Sequence, residues 1–364
     1  MKLILFLVFP CLLVSGDQQN GTKSKDEELP IASFISSNVD GFVQEPSNST
    51  SSDNLATNCD CKCKSDENTI DIHGVDYCID DFCCTSKSIK SEVRCGRRGQ
   101  GRATVHVNEA SMGEFPWMVA MLREKDAAGE ISETLHCGAS LIHPQVVLTA
   151  AHCVHNKNDS YKIRAGEWDI SGTNELYPHQ DRGIKETIVH PRYRSGTLFY
   201  DVALLVLESP VQLTENVDVV CLPDKSTVVS SNLFCYGTGW GRKVFTEEKT
   251  NSTILKKVEL AVVDREACLK RLKSTRLGSH FKLHETFICA GGEIGLDLCK
   301  GDGGGPLVCP VPDEDGRFYQ AGIVAWGINC GEDIPGAYVD IVKVIDWIDD
   351  IMISQHFDTT IYHY

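Results

Sequence analysis

Cysteine content constrains this chain more than any other feature. Its 364 residues include seventeen cysteines. Cys11 sits in an apolar N-terminal run and leaves with it if that run is removed. The sixteen that remain form an even set suited to eight bridges. Their spacings are not the paired Cys-x-x-Cys units of thiolate zinc sites, and bridges in such number persist in an oxidising compartment. Six of them, Cys59, Cys61, Cys63, Cys78, Cys83 and Cys84, crowd into residues 59–84. So short a segment has no room for a large core and depends on cross-links. Six cysteines permit fifteen pairings, and sequence alone does not choose among them. The other ten run from Cys95 to Cys330, in a stretch long enough, at 42% hydrophobic content overall, to bury a sizeable core.

The N-terminus agrees with an oxidising destination. Met1-Lys2 leads an apolar run over residues 3–14 that ends in Ser15-Gly16, the pattern of a secretory signal over residues 1–16, cleaved before Asp17. A membrane anchor is the other reading, but this run falls short of the ~20 residues that span a bilayer, and no later stretch is long enough. The net charge of -16 argues against general nucleic-acid binding and suits a chain dissolved in water. Residues 17–57 are poor in aromatics and rich in Ser, Asn, Asp, Lys and Thr, so they are expected to be disordered. Asn20, Asn48, Asn158 and Asn251 each open a glycosylation acceptor. Residues 86–103 read as an exposed basic linker carrying Arg98 and Arg102, open to a trypsin-like protease.

From residue 113 the character changes. Short apolar runs such as Val146-Val147-Leu148, residues 202–207, 258–263 and 322–326 alternate with Gly, Pro and Asn turns. Strands at turn-separated intervals predict an all-β barrel or sandwich. Residues 341–353 differ, because Ile341, Ile345, Ile348 and Met352 recur at steps of three or four. That spacing predicts one face of a helix packed on the β structure.

Three motifs lie in the all-β stretch. Leu148-Thr149-Ala150-Ala151-His152-Cys153 and Asp201-Val202-Ala203-Leu204-Leu205 come first, then Cys299-Lys300-Gly301-Asp302-Gly303-Gly304-Gly305-Pro306. Singly, a histidine beside a bridged cysteine or an aspartate at a turn is structural. In this order the three resemble the histidine, aspartate and serine motifs of trypsin-like proteases, with Gly303 at the nucleophile position. The resemblance covers residues 104–353 and implies a two-barrel chymotrypsin-like fold with a C-terminal helix, followed by a tail over residues 354–364. Ahead of it, the Cys-x-Cys start and adjacent Cys83-Cys84 of residues 58–85 resemble the clip domain of arthropod blood proteases. Clip domains place several residues between their second and third cysteines; here Lys62 alone separates Cys61 from Cys63.

The resemblance implies the bridges Cys137–Cys153, Cys268–Cys289, Cys235–Cys309, Cys299–Cys330 and Cys95–Cys221, and within the clip domain Cys59–Cys83, Cys61–Cys78 and Cys63–Cys84. His152, Asp201 and Gly303 become a remnant triad: the nucleophile must be a hydroxyl or thiol in reach of the imidazole, and glycine has neither. Gly301 and Gly303 correspond to the oxyanion hole. Asp297, Gly327 and Gly336 correspond to the pocket that selects basic side chains, and Ala325 replaces the serine usual before Trp-Gly. Family members are cut before an Ile-Val-Gly-Gly type sequence, and the new amine pairs with the acid preceding the serine. The matching place reads Thr104-Val105-His106-Val107, so Asp302 is expected to be solvated or hydrogen-bonded otherwise. The acidic loop from Gly166 to Asp181 lies where relatives bind calcium, with Glu167 and Asp181 as side-chain candidates for a structural ion; no other cofactor is expected.

The whole pattern resembles clip-domain serine protease homologues of the prophenoloxidase-activating-factor type. That implies a secreted haemolymph pseudoprotease acting as a cofactor in melanisation. Its implied partners are prophenoloxidase, an active clip-domain protease, or both. A cut at Lys64, Arg98 or Arg102 would switch it, with an oligomer forming afterwards. Two rival classes are an active protease with a different nucleophile and an adhesion, matrix or pattern-recognition protein that uses the inert barrel as a binding surface.

Overall fold

The structure, a computed structural model, describes residues 69–72, 75–78, 95–99, 108–127, 130–156, 159–172, 175–241, 252–294, 298, 301–328 and 331–364. The chain divides into two compact units, Met1–Thr85 and Ser86–Tyr364. Described in the first is an antiparallel pair, β1 (Thr69–Ile72) and β2 (Val75–Cys78), built from β-branched and aromatic residues that favour extended backbone. The expected signal, the polar segment over residues 17–57, Lys64, Arg102, Asp297, all four expected glycosylation acceptors, Cys299, Cys330 and the clip cysteines, save the Cys78 backbone, lie outside the described residues.

The second unit contains two closed six-stranded barrels. The first comprises β3 (Met118–Ala127), β4 (Glu130–His143), β5 (Val146–Thr149), β6 (Ser160–Ala165), β7 (Gln180–Val189) and β8 (Ala203–Leu207), in the order β3-β4-β5-β8-β7-β6. The second comprises β9 (Phe234–Gly239), β10 (Lys256–Val263), β11 (Phe287–Ala290), β12 (Pro306–Pro310), β13 (Phe318–Trp326) and β14 (Gly336–Asp340), in the order β10-β11-β14-β13-β12-β9. Val146-Val147-Leu148 and Ala203-Leu204-Leu205 are continuously apolar because β5 and β8 are buried along their whole length. β10 instead buries every second residue, the period expected of a strand with one face on the core. Between the barrels, Ser140 Oγ donates to Gln320 Oε1 at 2.6 Å with both side chains buried, and Trp117 packs against Phe115 and Phe318.

Among the described residues three α-helices accompany the barrels: α1 (Ala151–Val154), α2 (Arg265–Lys273), whose first amides are capped by the Asp264 carboxylate, and α3 (Ile345–Ser354). The helix expected over residues 341–353 is broken. A 3-10 turn, Ile341–Lys343, precedes α3, and Val344 between them has non-helical backbone. The four-residue phase survives the break, since Ile341, Ile345, Ile348 and Met352 are all buried.

Two segments that read as loose in the sequence are bound to the barrels. In the stretch taken as a tail, Tyr362 is fully buried, its hydroxyl donates to Asp349 at 2.6 Å and its carbonyl accepts from Leu222 N at 2.8 Å. Tyr364 stacks on Tyr319 at 5.4 Å. In the linker, residues 95–99 exchange backbone hydrogen bonds with Val219, Glu114, Gly316 and Phe318, and Cys95 is bridged to Cys221.

Candidate active-site remnant

Strand register brings the first two site residues together. The end of β5 pairs with the start of β8, Thr149 opposite Ala203. The single turn of α1 that follows β5 and the residues just before β8 are therefore neighbours. The Asp201 carboxylate, wholly buried, accepts from His152 N at 2.8 Å and meets His152 Nδ1 at 2.6 Å. A carboxylate accepts, so His152 Nδ1 is the donor in this contact and Nε2 is the ring nitrogen turned away from Asp201.

The glycine-rich turn before β12 supplies the third position. Gly303 O accepts from Gly138 N at 2.8 Å, and Gly304 N donates to Val324 O at 2.9 Å, which ties the turn to both barrels. Gly304 has φ +80°, and a Cβ there would overlap Thr149 and the Gly138 carbonyl, so only glycine fits. At Gly303 a Cβ would lie 2.8 Å from His152 Nε2. The imidazole thus stands against the glycine, in the space a side chain would need. Gly301 has φ +106°. Gly327 is exposed and Gly336 half-buried beside the Tyr338 ring, while Ala325 is buried. Besides Cys95–Cys221, the bridges among the described residues are Cys137–Cys153, Cys235–Cys309 and Cys268–Cys289, the first of them beside His152.

A family model described as Trypsin matches residues 104–348. The chain belongs to the trypsin family. It is 48% identical to "Phenoloxidase-activating factor 2" of Galleria mellonella, over 74% of this chain and 92% of that protein. It is 42% identical to "Inactive CLIP domain-containing serine protease A8" of Anopheles gambiae, over 66% of this chain and 65% of that one. To "Phenoloxidase-activating factor 3" of Holotrichia diomphalia it is 35% identical, over 73% and 78% respectively. With these relatives, this trypsin-family member is a clip-domain serine protease homologue.

In this homologue Asp302 is not solvated. It is fully buried, and its carboxylate accepts from Gly241 N at 2.7 Å and from Lys256 Nζ at 2.5 Å. Lys256 escaped the sequence reading, although a lysine in the buried phase of β10, in step with Val258, Leu260 and Val262, was a visible signal.

Arg98 is a correction. Expected as an exposed cleavage residue, it is half-buried, and its guanidinium pairs with buried Glu114 over the rings of Tyr236, Phe115 and Phe318, with centroids at 4.7, 5.3 and 5.8 Å. Its amide donates to Gly316 O at 2.9 Å. Lys257 also donates to Glu114, and together these charges hold its carboxyl below the usual range against the opposing effect of burial. A protease must take extended, free backbone, and Arg98 does not offer it.

The acidic loop also differs from expectation. Asp181 faces Arg164 and Lys162 at 2.7 Å each, and those cations hold its carboxyl down to about 2 despite burial. The groups that gather around buried Glu167 are instead Glu175 and His179. Burial pushes both glutamates up, and for Glu175 the Glu167 charge adds to it. Glu175 Oε1 accepts from Trp168 N and Asp169 N, whereas its Oε2 is buried with no hydrogen-bond partner among the described residues. Two crowded carboxylates with an orphaned oxygen fit a hard cation such as calcium, although Arg164 already brings one positive charge to Glu167 at 3.4 Å.

Proposed function

We propose that this homologue is a secreted pseudoprotease that serves as a cofactor in prophenoloxidase activation and melanisation. The observation that carries the reading is the His152–Asp201 pair, assembled and oriented, with Gly303 opposite Nε2 and no hydroxyl or thiol there to attack a carbonyl. Oxyanion donors and a base without their nucleophile fall roughly a millionfold below an intact triad. The cascade comes from relatives named phenoloxidase-activating factors, and the inertness agrees with relatives named inactive. Its partners would be prophenoloxidase, the active clip-domain protease that cuts it, or both. With Arg98 held in place, Lys64 and Arg102 are the cut sites of choice, and larger species form after the cut. Calcium would be held by Glu167 and Glu175 and would neutralise their mutual repulsion.

Reconstitution tests this. Prophenoloxidase and an active clip-domain protease, mixed with the full secreted chain, should give strong phenoloxidase activity only when the chain is present and cut. A Lys64→Gln and Arg102→Gln variant should not support it. The chain alone should turn over no arginine ester. Equal phenoloxidase activity without the chain, or ester turnover that survives His152→Ala, would overturn the reading. For the acidic loop, millimolar calcium should raise the melting temperature of the wild type and leave that of Glu175→Gln unmoved.

A further inference from the structure

In proteases of this type, the amine freed by activation pairs with the acid before the nucleophile and fixes the surrounding loop. Here that acid already has an ammonium partner in the uncut chain. We propose that Lys256 is a built-in substitute for the activation terminus. It holds Asp302, and with it the turn over residues 301–305, in the paired conformation before any proteolysis. A cut elsewhere in the chain therefore does not act through this turn.

Three independent features support this. The carboxylate sits in a cradle walled by glycine. A Cβ on Gly241 would lie 2.5 Å from its Cγ, and one on Gly239 would overlap it outright, so the cradle is built around Asp302. The ammonium is delivered by strand register, because Lys256 opens β10 directly opposite Gly239. The delivery is also pinned from the other side. Lys256 forms a β-bridge with Glu109, and the next residue, Lys257, donates its amide to Asn108 O at 3.0 Å. The alternation of β10 sends Lys257 outward to Glu114 and Lys256 inward to Asp302, both cation and anion being buried. A buried ion pair is demanding: removing either charge leaves the other poorly solvated in the interior. The turn inherits that demand, since Gly305 N donates to Asp302 O and Gly304 and Gly305 are tied to Val324. None of this depends on a role in melanisation.

Hydrogen exchange on the full secreted chain, read by mass spectrometry over residues 239–241 and 301–305, tests the assignment. In the uncut wild type these amides should be protected, and limited trypsin cutting should change their rates by less than about twofold. In uncut Lys256→Met they should exchange about a hundredfold faster, while β3 and β5 keep their rates. Lys256→Arg, which retains the charge, should stay within about tenfold of wild type. The double variant Lys256→Met with Asp302→Asn should recover most of the protection, a rescue that simple loss of packing would not give. Protection that rises tenfold or more when the wild type is cut, or rates unchanged in Lys256→Met, would overturn the proposal. Should Lys256→Met fail to fold, the double variant decides. If it folds, the stranded carboxylate is the cause; if it fails while Asp302→Asn alone folds, Lys256 is not acting through Asp302.

Discussion

At the scale of single residues, the remnant site is closed by more than a missing hydroxyl. His152 is fastened to Asp201 at two points, and its Nε2 occupies the approach that a Cβ at position 303 would require. Restoring the nucleophile as Gly303→Ser is therefore expected to displace the imidazole, to lower stability by about 1–3 kcal/mol as overpacking does, and to give no measurable esterase; denaturant titration and an arginine-ester assay check both. His190 gives a second residue-scale expectation. It is buried between Tyr200, stacked at 4.7 Å, and Trp347 at 4.8 Å, and its Nδ1 accepts from Arg192 N. Burial, helped by the Arg192 charge, pushes its imidazole down to about 4. A depressed value means that the fold prefers the neutral ring. Its stability is fully present above about pH 6.5 and is lost as pH falls towards 4, amounting to about 3 kcal/mol. Urea midpoints at pH 7 and pH 4.5 should fall less for His190→Phe than for wild type. Asp340, pushed up to about 6 by burial, works in the opposite direction over the lower part of that range, which is why the comparison must be between variants.

At the scale of elements, the strands and the site motifs were legible because their signals are local. Continuous apolar runs marked β5 and β8, and the histidine and aspartate motifs sit at their paired ends. The missed elements are those whose meaning depends on distant partners. An arginine in a basic linker reads as solvated until Phe115, Tyr236 and Phe318, far apart in sequence, are seen to converge on it. Residues 354–364 have no periodicity, and their burial depends on Leu222 and Tyr319 of the body. That segment should therefore behave as part of the barrel unit. Tyr362→Ala is expected to destabilise by about 3–5 kcal/mol and Tyr362→Phe, which loses only the bond to Asp349, by about 1 kcal/mol, both measurable by urea unfolding. The break at Val344 was illegible for another reason: buried positions keep their four-residue spacing across it, so the apolar pattern carries no trace of the kink.

At the scale of the whole molecule, cysteine parity makes a sharp expectation. Four bridges account for eight cysteines among the described residues. If the remaining eight of the mature chain pair as well, thiol titration of denatured, unreduced protein should find none free, and a reproducible free thiol would break the scheme. The bridge between Cys95 and Cys221 has a further consequence. A cut downstream of Cys95 severs the backbone, yet the N-terminal unit stays covalently joined to the barrel unit. When a tether is short, the effective concentration of one unit at the other is on the order of millimolar, which a released fragment would not keep. A partner with a weak site for each unit would therefore meet a bivalent ligand after the cut as before it. Because Cys95 is anchored to Cys221 with or without the cut, such a cut leaves both the tether and the stoichiometry as they were.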